Sequence, residues 1–211
     1  MKYYSDSYLI KNIKEKDNGE KLVDVKKKVR KIIVKKHNVI KANRGKIFVR
    51  EGVARKLNSV INHLPKGYKL VIYDGYRNKK TQERYFLSYL KKLKKENPKL
   101  NEESLRKEAV KYVADPESFS PHLTGGAVDV SLLEKGRPIL MGGFIENKDK
   151  KVTQKIKDNR NMLAKIMSKA GFVNYPFEWW HWSYGDRYWA AENKRKTSLK
   201  RLGRQLLILS I

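Results

Sequence analysis

The stretch Ser120-Pro-His-Leu-Thr-Gly-Gly-Ala-Val-Asp129 places a histidine and an aspartate seven positions apart, at His122 and Asp129. In a fully extended strand this separation would span roughly 23 Å. Both side chains can reach one metal ion, at roughly 2 Å each, only if the chain turns back between them. The pair Gly125-Gly126 can form such a turn, because glycine adopts positive φ without steric cost. The run Ala127 to Val130 then predicts a strand that carries Asp129 inward.

A second stretch, Glu178-Trp-Trp-His181, supplies another histidine and another carboxylate. Two imidazoles and one carboxylate, with a fourth position open to water, are typical of a catalytic zinc site. We therefore predict that His122, Asp129 and His181 bind one zinc ion per chain. Glu178 is then a candidate general base.

A simpler interpretation of each residue stands beside this one. A histidine and an aspartate at this spacing are more often surface residues, and Glu178 could be a solvated carboxylate between core or rim tryptophans. However, the chain has only four histidines, and two of them fall in these motifs next to apolar residues that predict burial. Buried imidazoles and carboxylates need partners, and a shared metal ion satisfies them together.

The two stretches together resemble the double signature of the zinc D-alanyl-D-alanine dipeptidases, the vancomycin-resistance type. The pattern Ser-x-His-x-x-Gly-x-Ala-x-Asp matches at residues 120–129, and Glu-Trp-Trp-His matches at residues 178–181. Further matches are Asp74-Gly-Tyr-Arg77, Met141-Gly-Gly143, Asn159-Arg160 and Gly171-Phe172. The resemblance covers about residues 68 to 185, and the outer segments carry no match.

The resemblance implies zinc-dependent hydrolysis of the peptide bond of free D-Ala-D-Ala, so the expected partner is a small dipeptide. It also implies that Arg77 stabilises the oxyanion and that Ser120 contacts the bound dipeptide. From the spacing alone, Arg77 could equally form an ion pair with Asp74, and the two roles are compatible.

Two other functions are also compatible with these motifs. A D,D-carboxypeptidase or an endolysin-type peptidase acting on peptidoglycan stem peptides would share the metal motifs. A binding module could keep the zinc without activity, although Glu178 argues against it, because a structural zinc ion does not need a base. The first residues lack the apolar core of a signal peptide, which predicts the cytoplasm, where the free dipeptide is made.

The apolar pattern predicts one α+β domain over residues 1–211: a small antiparallel sheet carries the zinc site, and the helices pack on one side. Helices are expected at 51–64, 79–96, 101–113 and 159–170, strands at 29–36 and 68–73, and a long loop at 134–157. The tail at 191–211 is basic and then apolar. It predicts a short amphipathic helix, with weak membrane-surface contact as the alternative.

Composition narrows the possible partners. The chain has no cysteine, so the zinc ligands must be nitrogen and oxygen atoms. It has no run of 18 apolar residues, so no membrane span is expected. The formal net charge of +27 suggests polyanions, but the basic residues are scattered and no nucleic-acid motif accompanies them. We therefore predict no specific nucleic-acid partner and attribute the charge to a lysine-biased genome, with an anionic cell-wall or membrane environment as the alternative.

Overall fold

The computed structural model describes residues 8–35, 46–143 and 152–202. Its helices are α1 (Tyr8–Lys11), α2 (Val25–Lys28), α3 (Glu51–Asn62), α4 (Lys79–Glu96), α5 (Glu102–Ala109), α6 (Gln154–Lys169) and α7 (Arg187–Glu192). Its strands are β1 (Lys14–Lys16), β2 (Leu22–Asp24), β3 (Ile33–Val34), β4 (Phe48–Arg50), β5 (Tyr68–Asp74), β6 (Ala127–Glu134), β7 (Arg137–Pro138), β8 (Val173–Asn174), β9 (His181–Ser183) and β10 (Thr197–Leu199). A 3-10 turn, Pro121–Thr124, precedes β6.

The largest sheet has the strand order β3-β5-β6-β9-β8, with β7 paired to β6 beside this path. β3 runs parallel to β5, whereas the other pairs of this sheet are antiparallel. The predicted α+β class is confirmed, but the sheet is mixed and not strictly antiparallel. The difference arises because the chain passes from β3 to β5 through β4 and α3, a connection long enough for parallel neighbours.

Strand β6 positions the site. Its side chains alternate, so Val128 and Val130 point into the core and Asp129 points to the opposite face. In the pairing register, Asp129 lies opposite Asp74 of β5 and opposite His181 of β9. Three neighbouring strands therefore bring polar side chains together at one place on the sheet.

The hydrophobic core covers the face of the sheet that lies away from Asp129. Helices α3 and α6 contribute Leu57 and Leu163 to it, and Trp182 of β9 packs into the same cluster. The prediction that the helices pack on one side of the sheet is correct for α3 and α6. Helices α4 and α5 instead share a smaller cluster of their own, formed by Phe86, Leu93, Leu105 and Ala109.

Capping residues set the helix boundaries. Helix α4 has the predicted bounds, and the Asn78 side chain accepts a hydrogen bond from the Thr81 amide at 2.8 Å. Helix α6 begins at Gln154, inside the predicted loop at 134–157, because the Thr153 hydroxyl caps it by accepting from the Ile156 amide. The same predicted loop also contains β7, which pairs with β6. The prediction of one long loop is therefore wrong at both of its described ends.

The outer segments form two small sheets. β1 pairs in parallel with β10, and β2 pairs antiparallel with β4. In the described part of the tail, residues 197–199 form a strand, so the predicted amphipathic helix is wrong there; residues 203–211 lie outside the described residues. Across the described ranges, no helix combines the length and apolar character needed to cross a membrane.

Candidate metal centre

The 3-10 turn before β6 carries His122 and fixes the orientation of its ring. The Nδ1 atom lies 2.7 Å from the Gly75 carbonyl oxygen, and a carbonyl can only accept, so Nδ1–H donates this hydrogen bond. The Nε2 atom therefore carries the free lone pair. It points toward His181 and Asp129, as a metal ligand requires.

Three ligand atoms converge from the turn, from β6 and from β9. His122 Nε2 lies 3.1 Å from His181 Nδ1 and 3.4 Å from Asp129 Oδ1, and His181 Nδ1 lies 3.1 Å from Asp129 Oδ1. All three residues are buried, with exposed fractions of 3% for His122, 8% for Asp129 and 5% for His181. The structure thus brings together the three residues predicted as metal ligands, and we call them the metal triad.

The triad has the spacing that a tetrahedral zinc ion needs. Bonds of about 2.0–2.1 Å at tetrahedral angles place neighbouring ligand atoms about 3.3 Å apart, close to the separations within the triad. Two imidazole nitrogens and a carboxylate oxygen that face one another in a buried place need a shared cation or proton. The donor set, two nitrogens and one oxygen, suits zinc.

The charged groups of the triad stabilise one another. Burial opposes ionisation of Asp129, but the charges and hydrogen bonds of His122 and His181 outweigh it and hold the pKa of this carboxyl well below its usual range. Burial also lowers the pKa of His181, but the hydrogen bond and charge of Asp129, followed by the charge of Glu178, raise it above its usual value. The lowered pKa of Asp129 favours its ionised form, and the raised pKa of His181 favours a positive charge beside that carboxylate.

Arg77 links the triad to β5. Its Nε donates to Asp74 Oδ2 at 2.5 Å, Nη2 donates to Asp129 Oδ2 at 3.2 Å, and Nη1 donates to Gln82 Oε1 at 3.2 Å. The ion pair with Asp74 that the spacing suggested is therefore present. Arg77 also contacts the Asp129 oxygen that does not face the histidines, so it orients a triad residue directly.

Glu178 borders the triad. Its Oε2 lies 3.8 Å from His181 Nδ1, farther than the triad atoms lie from one another. Asp74, Asp129 and Glu178 together carry three negative charges against the single positive charge of Arg77. With both histidines neutral, an excess of two negative charges remains at the site, which a divalent cation balances.

Asn174 holds the two ends of the Glu178-Trp-Trp-His181 stretch in place. Its side-chain amide donates to the Glu178 carbonyl and to the His181 carbonyl, at 2.9 Å each. No motif in the sequence points to this residue or to Gln82, which holds Arg77 from α4. Both residues act through contacts that no local sequence pattern indicates.

Ser120 lies immediately before the 3-10 turn and is buried. Its hydroxyl takes no part in the contacts within the metal triad, or in those that join the triad to Arg77 and Glu178. The structure therefore places Ser120 next to the turn that carries His122, and a role in substrate binding stays a prediction.

Comparison with known proteins agrees with this arrangement. The profile of the Peptidase_M15 family, described as D-ala-D-ala dipeptidase, matches residues 20–198. The chain belongs to this family. The match begins well before residue 68 and extends past residue 185, so the family relationship covers more of the chain than the sequence motifs indicated.

Curated relatives of this family are similar over part of their length. A D-alanyl-D-alanine dipeptidase of Synechocystis sp. is 33% identical over 101 residues, which cover 39% of this chain and 41% of the relative. A D-alanyl-D-alanine dipeptidase of Enterococcus faecalis is 33% identical over 132 residues, which cover 57% of this chain and 64% of the relative. The matches thus span less than two thirds of these relatives.

Solved structures share the fold. The vancomycin-resistance D,D-pentapeptidase VanY in complex with Zn(II) matches with a TM-score of 0.50 and 19% identity, over 72% of this chain and 79% of that chain. The LD-carboxypeptidase LdcB matches with a TM-score of 0.50 and 18% identity, over 89% of this chain and 81% of that chain. At this identity the likeness concerns the fold alone.

The smaller motifs of the family resemblance meet in space. Asn159 of α6 donates to the Leu140 carbonyl at 2.7 Å, and Arg160 donates to the Met141 carbonyl at 2.7 Å. Trp179 donates to the Gly143 carbonyl at 3.0 Å. Hydrogen bonds therefore connect the segment 140–143 both to α6 and to the stretch that carries Glu178 and His181.

Proposed function

We propose that this chain is a zinc-dependent D,D-dipeptidase that hydrolyses the peptide bond of free D-Ala-D-Ala. The observation that carries the proposal is the convergence of His122 Nε2, Asp129 Oδ1 and His181 Nδ1, with the Glu178 carboxylate beside them. Family membership supports the same activity, because the curated relatives are named D-alanyl-D-alanine dipeptidases.

The triad would hold the ion through two neutral imidazoles and one carboxylate. A zinc ion bound there would lower the pKa of a bound water toward neutrality and polarise the scissile carbonyl. Asp129 stays ionised because of its neighbours, and His122 keeps its Nε2 lone pair free because Nδ1–H is held by Gly75. Asp129 and His122 are therefore already in the protonation states that metal ligands need, whereas His181, whose pKa is raised beside Asp129, would give up its Nδ1 proton to bind the ion.

Glu178 would act as the general base and acid. It takes a proton from the attacking water and passes it to the nitrogen of the leaving D-alanine, so the amine departs neutral. Its position supports this role, since it borders the triad without being one of the three converging ligands. Asn174 fixes the backbone on both sides of it.

Arg77 would stabilise the negative charge that develops on the carbonyl oxygen. Asp74, Gln82 and Asp129 each hold one of its nitrogens, and each terminal nitrogen carries a second N–H beyond these contacts. Burial lowers the pKa of Arg77, but Asp74 and Asp129 raise it above its usual value, so the guanidinium stays charged. Ser120 would contact the bound dipeptide, as the resemblance to the family signature implies.

A peptidase acting on peptidoglycan stem peptides is the second candidate. It is suggested by what two proteins of the same fold are named for, the D,D-pentapeptidase VanY and the peptidoglycan-recognising LD-carboxypeptidase LdcB. The sequence relationship to named dipeptidases is closer, at 33% against 18% identity, and it favours the free dipeptide.

Substrate size distinguishes the two candidates. Release of D-alanine from D-Ala-D-Ala and from a stem pentapeptide ending in D-Ala-D-Ala is measured at matched concentrations with the purified, zinc-loaded chain. A pocket built for a dipeptide leaves polar groups of a longer backbone unpaired, so we expect kcat/KM to favour the dipeptide by at least roughly 100-fold. Equal rates, or faster cleavage of the pentapeptide, would assign the chain to peptidoglycan.

Three variants control this assay. Glu178→Gln should keep about one zinc per chain by elemental analysis while kcat falls by roughly 10²–10⁴, the usual contribution of a general acid or base. His122→Ala should lose zinc and activity together. His63→Ala, at the end of α3, is the matched control and should keep both. Near-normal turnover by Glu178→Gln would contradict the mechanism.

A further inference from the structure

The backbone of the turn that carries His122 is held by groups from four other parts of the chain. Every carbonyl from residue 122 to residue 126 accepts a hydrogen bond from outside the turn. Four of the donors are backbone amides: the amide of Arg77 donates to the His122 carbonyl, that of Leu202 to Leu123, that of Arg50 to Gly125, and that of Tyr184 to Gly126. The fifth donor is the side-chain Nε of Arg50, which donates to the Thr124 carbonyl. The turn that presents a metal ligand therefore depends on contacts that are distant in sequence.

Arg50 is the side chain in this set, and the mechanism above does not use it. It lies at the N-terminus of α3 and is 1% exposed. Its Nε donates to the Thr124 carbonyl at 2.9 Å, Nη1 donates to the Glu20 carbonyl at 2.7 Å, and Nη2 donates to the Lys200 carbonyl at 3.0 Å. One guanidinium thus ties the turn to an N-terminal and to a C-terminal segment.

A buried guanidinium is retained only where its donors are well paired, because a charge without partners is costly inside a protein. Here the acceptors are mainly backbone carbonyls, and the Asp17 carboxylate lies farther away, at 3.5 Å on an exposed side chain. A salt bridge is therefore not the main reason for its position. The planar fork of the guanidinium lets one side chain reach three carbonyls in different directions, which a lysine cannot do.

We propose that Arg50 is a positioning residue for the metal centre: it holds the turn at Thr124 so that His122 meets Asp129 and His181. The C-terminal segment acts on the same turn through the Lys200 carbonyl and through the Leu202 amide. This inference rests on the proposed metal site and adds to it a support that lies outside residues 68–185.

The test measures zinc affinity by competition with a chelator in Arg50→Met and Arg50→Lys, after circular dichroism has shown that each is folded. Groups that orient ligands typically change metal affinity by 10- to 100-fold, so we expect Arg50→Met to bind zinc at least about 10-fold more weakly. We expect kcat for D-Ala-D-Ala to fall more than KM rises, and Arg50→Lys to recover only part of the loss, because an ammonium does not reproduce the fork.

Arg55→Met is the matched control, since Arg55 lies one turn further along α3, is 65% exposed and pairs with Glu20 and Glu51. It should keep the zinc affinity of the unaltered chain.

Folded Arg50→Met with unaltered zinc affinity and kcat would overturn the proposal. Failure of both Arg50 variants to fold would also overturn it, because Arg50 would then be a general folding residue. Zinc affinity is measured without substrate, so the result stands even if the chain does not cleave D-Ala-D-Ala.

Discussion

Arg77 joins three groups of the site through three different nitrogens, and this geometry separates it from a simple surface charge. Asp74 and Gln82 fix the plane of its guanidinium, and the same plane then meets the outer oxygen of Asp129. The centre of the Tyr85 ring lies 4.7 Å from the guanidinium carbon of Arg77, which adds a cation–π contact. Arg77 thus serves both a ligand of the metal triad and the proposed oxyanion.

Arg77→Lys should therefore fail although it keeps the positive charge. A single ammonium cannot replace all three contacts, so we expect kcat to fall by roughly 10²–10³, the cost of one oxyanion donor. Zinc affinity should also weaken by up to roughly 10-fold, because Asp129 loses its partner. The measurements are steady-state kinetics and chelator competition. Arg84→Lys, an exposed arginine of α4, is the control, and kinetics of Arg77→Lys like those of the unaltered chain would contradict both roles.

The sequence motifs indicated the residues that carry chemistry but not those that hold them. His122, Asp129 and His181 were predictable because rare histidines fell in two apolar motifs, and the structure brings them together. Asn174 and Arg50 donate mainly to backbone carbonyls, and any residue offers a carbonyl. Their partners therefore leave no pattern in the sequence.

The turn between His122 and Asp129 depends on its two glycines for different reasons. Gly125 has a φ of 72°, so it makes the chain reversal that the sequence predicted. Gly126 has no positive φ; instead, a Cβ there would lie 2.7 Å from the Tyr184 carbonyl oxygen. Gly125 allows the reversal, and Gly126 allows the chain just before β6 to lie close to the chain just after β9.

Gly125→Ala should destabilise the fold more than Gly136→Ala. Both positions have positive φ, which costs a non-glycine residue about 1–2 kcal/mol. An added Cβ would meet nothing within 4 Å at Gly136, but at Gly125 it would lie 2.8 Å from Leu22 Cδ2. Leu22 Cδ2 ends a half-buried side chain that can move aside, but the Arg50 Cγ at 3.3 Å belongs to a side chain held by hydrogen bonds, so we expect up to about 1 kcal/mol of further loss in the free energy of unfolding, measured by urea titration of the metal-free chain. Equal losses would mean that the turn has room to adjust.

At the level of elements, the periodic segments were predictable and the short ones were not. The apolar run that begins at Tyr68 is β5, and Lys79–Glu96 is a helix with the predicted bounds. β10 is only three residues long, and its partner β1 lies at the other end of the chain. A strand this short has no periodicity to detect, so its pairing emerges only in the folded chain.

The charge of the whole molecule is unevenly compensated. In α4 and α5, lysines and arginines pair with glutamates three or four positions away, as in Lys92–Glu96 and Lys107–Glu103. Such exposed pairs contribute little stability, but they reduce the local field. Within the described ranges, no carboxylate lies at ion-pair distance from the exposed run Lys26–Lys28 of α2. Even α4 and α5 carry nine basic against five acidic residues, so positive charge stays in excess there as well as at α2 and remains available to anions.

Ionic strength should reveal whether this charge takes part in the reaction. D-Ala-D-Ala is a zwitterion near neutral pH, so the long-range field of a chain with formal charge +27 exerts no net attraction on it. Raising the salt concentration from about 0.05 to 0.5 M shortens the screening length from above 10 Å to below 8 Å. We expect kcat/KM for the free dipeptide to change by less than roughly 2-fold across this range, measured at constant pH and zinc concentration.

A polyanionic substrate would behave differently, since its capture by Lys26–Lys28 and similar residues weakens steeply with salt. A steep fall of kcat/KM for the dipeptide would show that the charge takes part in capture of the substrate, and it would contradict a lysine-biased genome as the sufficient explanation.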